Sequence, residues 1–130
     1  MTVFLKGSVI LQFYEWCEKY NIKDRHKDFI SSFMMNYSAA LHNNKPELKG
    51  RFLQMQNEIF PEYPVLIEPE KLDYQEFDKI VHNVLGNDIN SAELLYSFHE
   101  QELCAPLADK LLASGTTENA HKYHKLTIQK

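Results

Sequence analysis

Asp24-Arg25-His26-Lys27-Asp28-Phe29-Ile30-Ser31-Ser32-Phe33-Met34-Met35-Asn36-Tyr37-Ser38-Ala39-Ala40-Leu41 decides the fold class. Phe29, Ile30, Phe33, Met34, Tyr37 and Leu41 recur at steps of three and four, which puts them on one side of an α-helix and nowhere near one side of a strand. Asn21-Ile22-Lys23-Asp24 ends one helix and caps this one. Upstream, Ser8 caps a helix over residues 9–20, in which Val9, Phe13, Trp16, Cys17 and Tyr20 share a side. Downstream, Asn43-Asn44-Lys45-Pro46 breaks the chain and places Pro46 in the first turn of a third helix. The apolar side of that helix is Leu48, Phe52, Met55 and Ile59, and Gly50 weakens it by ~1 kcal/mol relative to Ala.

From Phe60 to Pro69 the text changes. Three of the five prolines fall here, each pushing the residue before it toward extended backbone, so the segment reads as a linker laid across the bundle through Tyr63, Val65 and Ile67. Asp73 with Glu76 forms a capping box ahead of Phe77, Ile80, Val81 and Leu85, and Gly86 stops that helix. Asn90 with Glu93 repeats the device. The helix that follows carries Leu94, Leu95, Phe98, Leu103, Leu107 and Leu111 toward Gly115, and Pro106 must kink or split it near Cys104-Ala105. Thr116-Thr117 starts a final helix with Ala120, Tyr123, His124 and Thr127 along one side.

The expectation is an all-α chain, one domain over residues 1–130, with five to six helices in a bundle and a proline-rich linker near residues 60–70. Its 130 residues suit a single core, and 44% hydrophobic with 25% charged residues is the composition of a folding chain. Few glycines and few β-branched apolar residues argue against a sandwich or barrel. No basic leader and no run of about 20 apolar residues occurs, so neither a secretory signal nor a bilayer crossing is expected. Cys17 and Cys104 stand far apart in apolar surroundings, which fits buried thiols in a reducing compartment and a cytoplasmic protein.

The formal net charge of −4 is unevenly spread. Residues 1–57 carry 8 basic against 5 acidic groups, and residues 110–130 carry 4 against 1. Residues 58–109 carry 12 acidic groups against Lys71 and Lys79 alone. Such a segment repels a phosphate backbone and attracts a basic protein, so general nucleic-acid binding is not expected. Glu62, Tyr63, Glu68, Glu70, Asp73, Tyr74, Glu76 and Asp78 crowd the proline-rich connection, with the two tyrosines as aromatic anchors and the carboxylates selecting the sign of the partner. The leading expectation is therefore a non-enzymatic module that docks a basic protein, as an inhibitor, an immunity-type protein or an adaptor. A homodimer seam through Tyr63, Tyr74 or the methionines is the other partner expectation.

No nucleotide-binding glycine loop, catalytic signature or zinc spacing is present. Cys104 with His99 or His124 lacks the surroundings of a nucleophile, since Leu103-Cys104-Ala105-Pro106-Leu107 reads as helix interior. His26, His42 and His82 fall at polar edges or ends of helices. The metal alternative rests on Glu118-Asn119-Ala120-His121, a Glu-x-x-His step that resembles one of the two such steps that, with two further glutamates, hold the metals of di-iron carboxylate bundles; a second such step does not occur in the chain. A tight turn at Gly115 would bring Asp109 opposite His121, making Asp109, Glu118, His121 and His124 the candidate ligands for iron or zinc in oxidase or sensing chemistry. Without that site no cofactor is expected.

Overall fold

The computed structural model describes Phe13 and residues 15–42, 45–101 and 104–128. Phe13 and residues 15–19 are helical, Tyr20 already lies in the turn that follows, and residues 9–12 and 14 of the expected first helix lie outside the described residues. That segment ends in a Schellman turn: the Ile22 N–H donates to the Cys17 carbonyl and the Asn21 N–H to that of Glu18. Asn21 adopts φ 54°, the left-handed conformation that Asn tolerates after Gly. The chain then enters α1 (Asp24–Leu41) and, after a short connection, α2 (Pro46–Ile59), with Pro46 in its first turn. Asp24 belongs to the first turn of α1 and makes no cap: Lys23 is the cap residue and offers no side-chain bond.

The proline-rich connection has neither helix nor turn over residues 64–68, is extended at Glu68, and closes with a 3₁₀ turn at Pro69–Lys71. It is held as the alternation predicts. Val65 is buried, Leu66 is exposed, and the Asn57 side chain takes both backbone groups of Val65, donating to its carbonyl at 2.9 Å and accepting its N–H at 2.8 Å. Tyr37 donates its hydroxyl to the Ile67 carbonyl. The linker is thereby fastened to α1 and α2 through backbone groups that would otherwise need water.

α3 (Tyr74–Leu85) is capped by Asp73, whose carboxylate accepts the Glu76 N–H at 2.9 Å, and is stopped by Gly86 at φ 104°. α4 (Ser91–Gln101) is capped in the same way by Asn90, which accepts from the Glu93 N–H. Pro106 splits the long apolar run as its missing N–H requires, for α4 ends before it and α5 (Ala105–Ser114) begins with it in the first turn. α6 (Glu118–Ile128) follows Gly115, whose ideal Cβ would lie 2.4 Å from that of Ala120, so only glycine lets the α5–α6 turn close against Tyr74. Among the described residues there is no strand, and the fold is all-α.

One core joins the elements, with Phe29, Phe33, Tyr37, Phe77, Leu94, Leu95, Leu107, Leu111 and Leu112 at its centre. α1 behaves as its stripe predicts; Phe29, Ile30, Phe33, Met34 and Tyr37 are all buried. α2 does not. Its one fully buried side chain is Gln56, while Met55 and Ile59 are 44% and 50% exposed. The helix is rotated about its axis so that Gln56 meets α1, accepting from Ser32 and Asn36 at 2.8 Å each, and the Leu48-Phe52-Met55-Ile59 side is left at the flank. Hydrogen bonds and an Arg25 contact to the Ile59 carbonyl at 2.7 Å set the rotation. Among the described residues no helix is long and apolar enough to cross a membrane.

Candidate functional site

The acidic window around the linker is already engaged by the chain itself. Arg25 clamps Glu62 through two nitrogens at 2.6 and 2.9 Å and lies 4.2 Å above the Phe60 ring, which holds the Glu62 carboxyl down at about 2. Lys49 donates to Glu70 at 2.6 Å and lowers its pKa as well. Lys71 pairs with Glu68, and Lys79 with Glu76. Asp73 caps α3, and Asp78 accepts the Ser91 hydroxyl. The aromatic anchors expected beside these carboxylates are not offered to solvent. Tyr74 is buried in the core at 5% exposure, and Tyr63 packs edge-on against Phe29 with its hydroxyl 3.0 Å from His26 Nε2. Tyr63 packs against the core from the linker and Tyr74 from the first turn of α3, while Leu66 is exposed.

The four residues of the metal alternative are not assembled. Asp109 Oδ1 lies 2.7 Å from His99 Nδ1, a hydrogen bond across the α4–α5 seam. Glu118 and His121 are exposed, and His124 is half-buried. Among the described residues, no group of three or more His, Cys, Asp or Glu side chains is placed to hold a metal ion. Pro106 starts a new helix at Ala105, and in that helix Asp109 meets His99 on α4, a neighbour that counting residues back from Gly115 does not give. Cys17 and Cys104 are buried free thiols, each pushed by burial up to about 11, the opposite of an activated nucleophile.

A different carboxylate stands at the head of a cleft of about 360 Å³ lined by Glu15, Trp16, Lys19, Glu93, Tyr96, Ser97 and Tyr123. It lies between the helical segment at residues 15–19, α4 and α6. Glu93 receives the Lys19 ammonium at 3.0 Å, the Tyr20 hydroxyl at 2.8 Å and the Tyr123 hydroxyl at 3.5 Å. Burial opposes its charge, and the hydrogen bonds from Tyr20 and Lys19 outweigh burial, so its pKa is held below the ordinary glutamate value. Burial and the neighbouring carboxylate raise the Tyr20 phenol, which therefore stays a donor. Aromatic rings surround the charge pair: Trp16 and Tyr20 centroids are 4.9 Å apart, Tyr96 and Tyr123 are 5.5 Å apart, and the Lys19 ammonium is 5.2 Å from the Tyr20 ring. Trp16 adds a buried indole N–H without a hydrogen-bond partner among the described residues. A carboxylate among aromatic faces is an arrangement that receives an organic cation.

No known protein family, curated protein or solved structure matches this chain. The geometry therefore carries the functional reading. Sequence reasoning met Glu93 as the capping partner of Asn90 and as one of 12 acidic groups, and did not single it out. The signal available was local and faint: Glu93 and Tyr96 stand three apart on one helix, as do Trp16, Lys19 and Tyr20 at helical steps on another. Nothing in either spacing says that the two helices meet.

Proposed function

We propose that this chain is a non-enzymatic, cytoplasmic protein-binding module whose partner is basic, and that the partner's lysine or arginine side chain enters the Glu93 cleft. The observation that carries the reading is the Lys19 ammonium on Glu93 inside an aromatic-walled cleft, an internal cation occupying the place an external one would take. Lys19 itself is 59% exposed and sits on a flexible stem, so exchanging it for an incoming cation disturbs no core contact. Desolvated aromatic pockets supply the anchoring energy of interfaces, and the surplus of carboxylates over residues 58–109 supplies long-range attraction for a basic partner. The paired carboxylates at Glu62, Glu68, Glu70 and Glu76 serve in that field and do not act as individual contacts. The free, buried thiols of Cys17 and Cys104 suit a reducing compartment. An inhibitor, immunity-type or adaptor role is a use of such a cleft. The donor set needed for the metal alternative is not brought together among the described residues.

Trp16 is the chain's single tryptophan and lines the cleft, so the protein carries its own reporter. Titration with hexalysine and hexa-arginine peptides at low salt should change Trp16 fluorescence saturably. Glu93→Gln should abolish that response, while Glu68→Gln with Glu70→Gln should leave it. A response insensitive to Glu93→Gln, or lost equally in the linker variants, would remove the cleft from the reading.

A further inference from the structure

Among the described residues, the flank of α2 carries a row of apolar side chains outside the core. Leu48, Phe52, Met55 and Ile59 follow one another at steps of four, three and four, the spacing of a coiled-coil seam. In the fold this side is turned from the core, with Leu48 and Phe52 half-buried and Met55 and Ile59 exposed. The inner side of the same helix is spoken for by Gln56 on Ser32 and Asn36 and by Lys49 on Glu70. A seam-spaced apolar row outside the core needs a cover, and its own register states which one fits.

We infer that α2 is the interface of a homodimer, packing antiparallel on α2 of a second copy about a two-fold axis at its middle. Such an axis, between Leu53 and Gln54, sets Leu48 opposite the second copy's Ile59, and Phe52 opposite its Met55, so every seam position meets an apolar one. Charge agrees with this orientation. Arg51 and Glu58 are exposed, seven residues apart, and border the row on its outer edge. In an antiparallel pair the outer edges of the two helices face each other, which brings Arg51 of each copy to Glu58 of the other, twice per dimer. A parallel pairing would set both of these residues against the inner edge and match neither. A 14-residue helix is about 21 Å long, so the contact is short, falls below the size of standard stable interfaces, and the dimer is expected to be weak and concentration-dependent.

Sedimentation velocity on the full chain, from a few micromolar to several hundred micromolar, should show a monomer giving way to a dimer. Met55→Lys, at a surface position that leaves the fold intact by circular dichroism, should keep it monomeric throughout. Arg51→Glu alone and Glu58→Arg alone should each weaken dimerisation by roughly tenfold or more, because each places like charges together at both ends of the seam. The double variant Arg51→Glu with Glu58→Arg should restore it. A monomer at every concentration overturns the inference, as does a dimer that survives Met55→Lys or is not rescued by the charge exchange. None of these substitutions touches the Glu93 cleft, so this outcome and that of the peptide titration are independent.

Discussion

The carboxylates beside the linker and the carboxylate on α4 come from one acidic segment and are used in different ways. Glu62, Glu68, Glu70 and Glu76 lie on the surface, each matched with a single Lys or Arg. Glu93 is partly buried, takes three donors at once and is walled by rings. Surface pairs of the first kind contribute little, since solvent and salt screen them. A carboxylate of the second kind is screened less, because it is partly buried and stands among aromatic rings. Counting charge along the chain treats both groups alike; burial separates them.

The largest effect that tests this contrast concerns the tyrosine expected to anchor the linker region. Tyr74→Ala should cost about 3 kcal/mol or more in urea unfolding, as the loss of a buried aromatic does, whereas an exposed anchor would cost under about 0.5 kcal/mol. A smaller change follows at the cleft. Glu93→Gln should lower stability by about 1 kcal/mol, a value already discounted for solvent screening, because two hydroxyls and an ammonium lose their charged acceptor. Glu62→Gln and Glu70→Gln should each move the urea midpoint less than Glu93→Gln does, because solvent screens both pairs; an equal loss at all three would erase the distinction between the regions. The smallest effect is a titration. Glu62 should protonate at about 2, well below the ordinary glutamate value, and Arg25→Ala should return it there, as carbon-detected NMR of the carboxyl would record. Since its folded pKa is depressed, the Arg25–Glu62 pair supports the fold above the unfolded glutamate pKa, and that support fades as pH falls from there toward about 2.

Much of the architecture can be read from the chain because its signals are local. The α1 stripe, the Asp73 and Asn90 caps, the stop at Gly86 and the split at Pro106 each depend on residues within one or two turns of each other. The site is less legible because it depends on rotation and tilt. The apolar row of α2 predicts burial, yet a three-way bond among Ser32, Asn36 and Gln56 turns it aside. Asp109 predicts a neighbour on α6, yet pairs with His99 on α4.

By itself, the sequence determined an all-α chain, its helix ends, its extended linker and its acidic middle, because periodicity, capping and proline chemistry act through near neighbours along the backbone. The tertiary structure alone decided that Glu93 rather than the linker carboxylates heads a cleft, that Tyr74 is core, and that the α2 row faces outward. Those outcomes depend on how helices turn and cross when packed. A few tens of degrees about a helix axis exchange a buried face for an exposed one without altering any local signal.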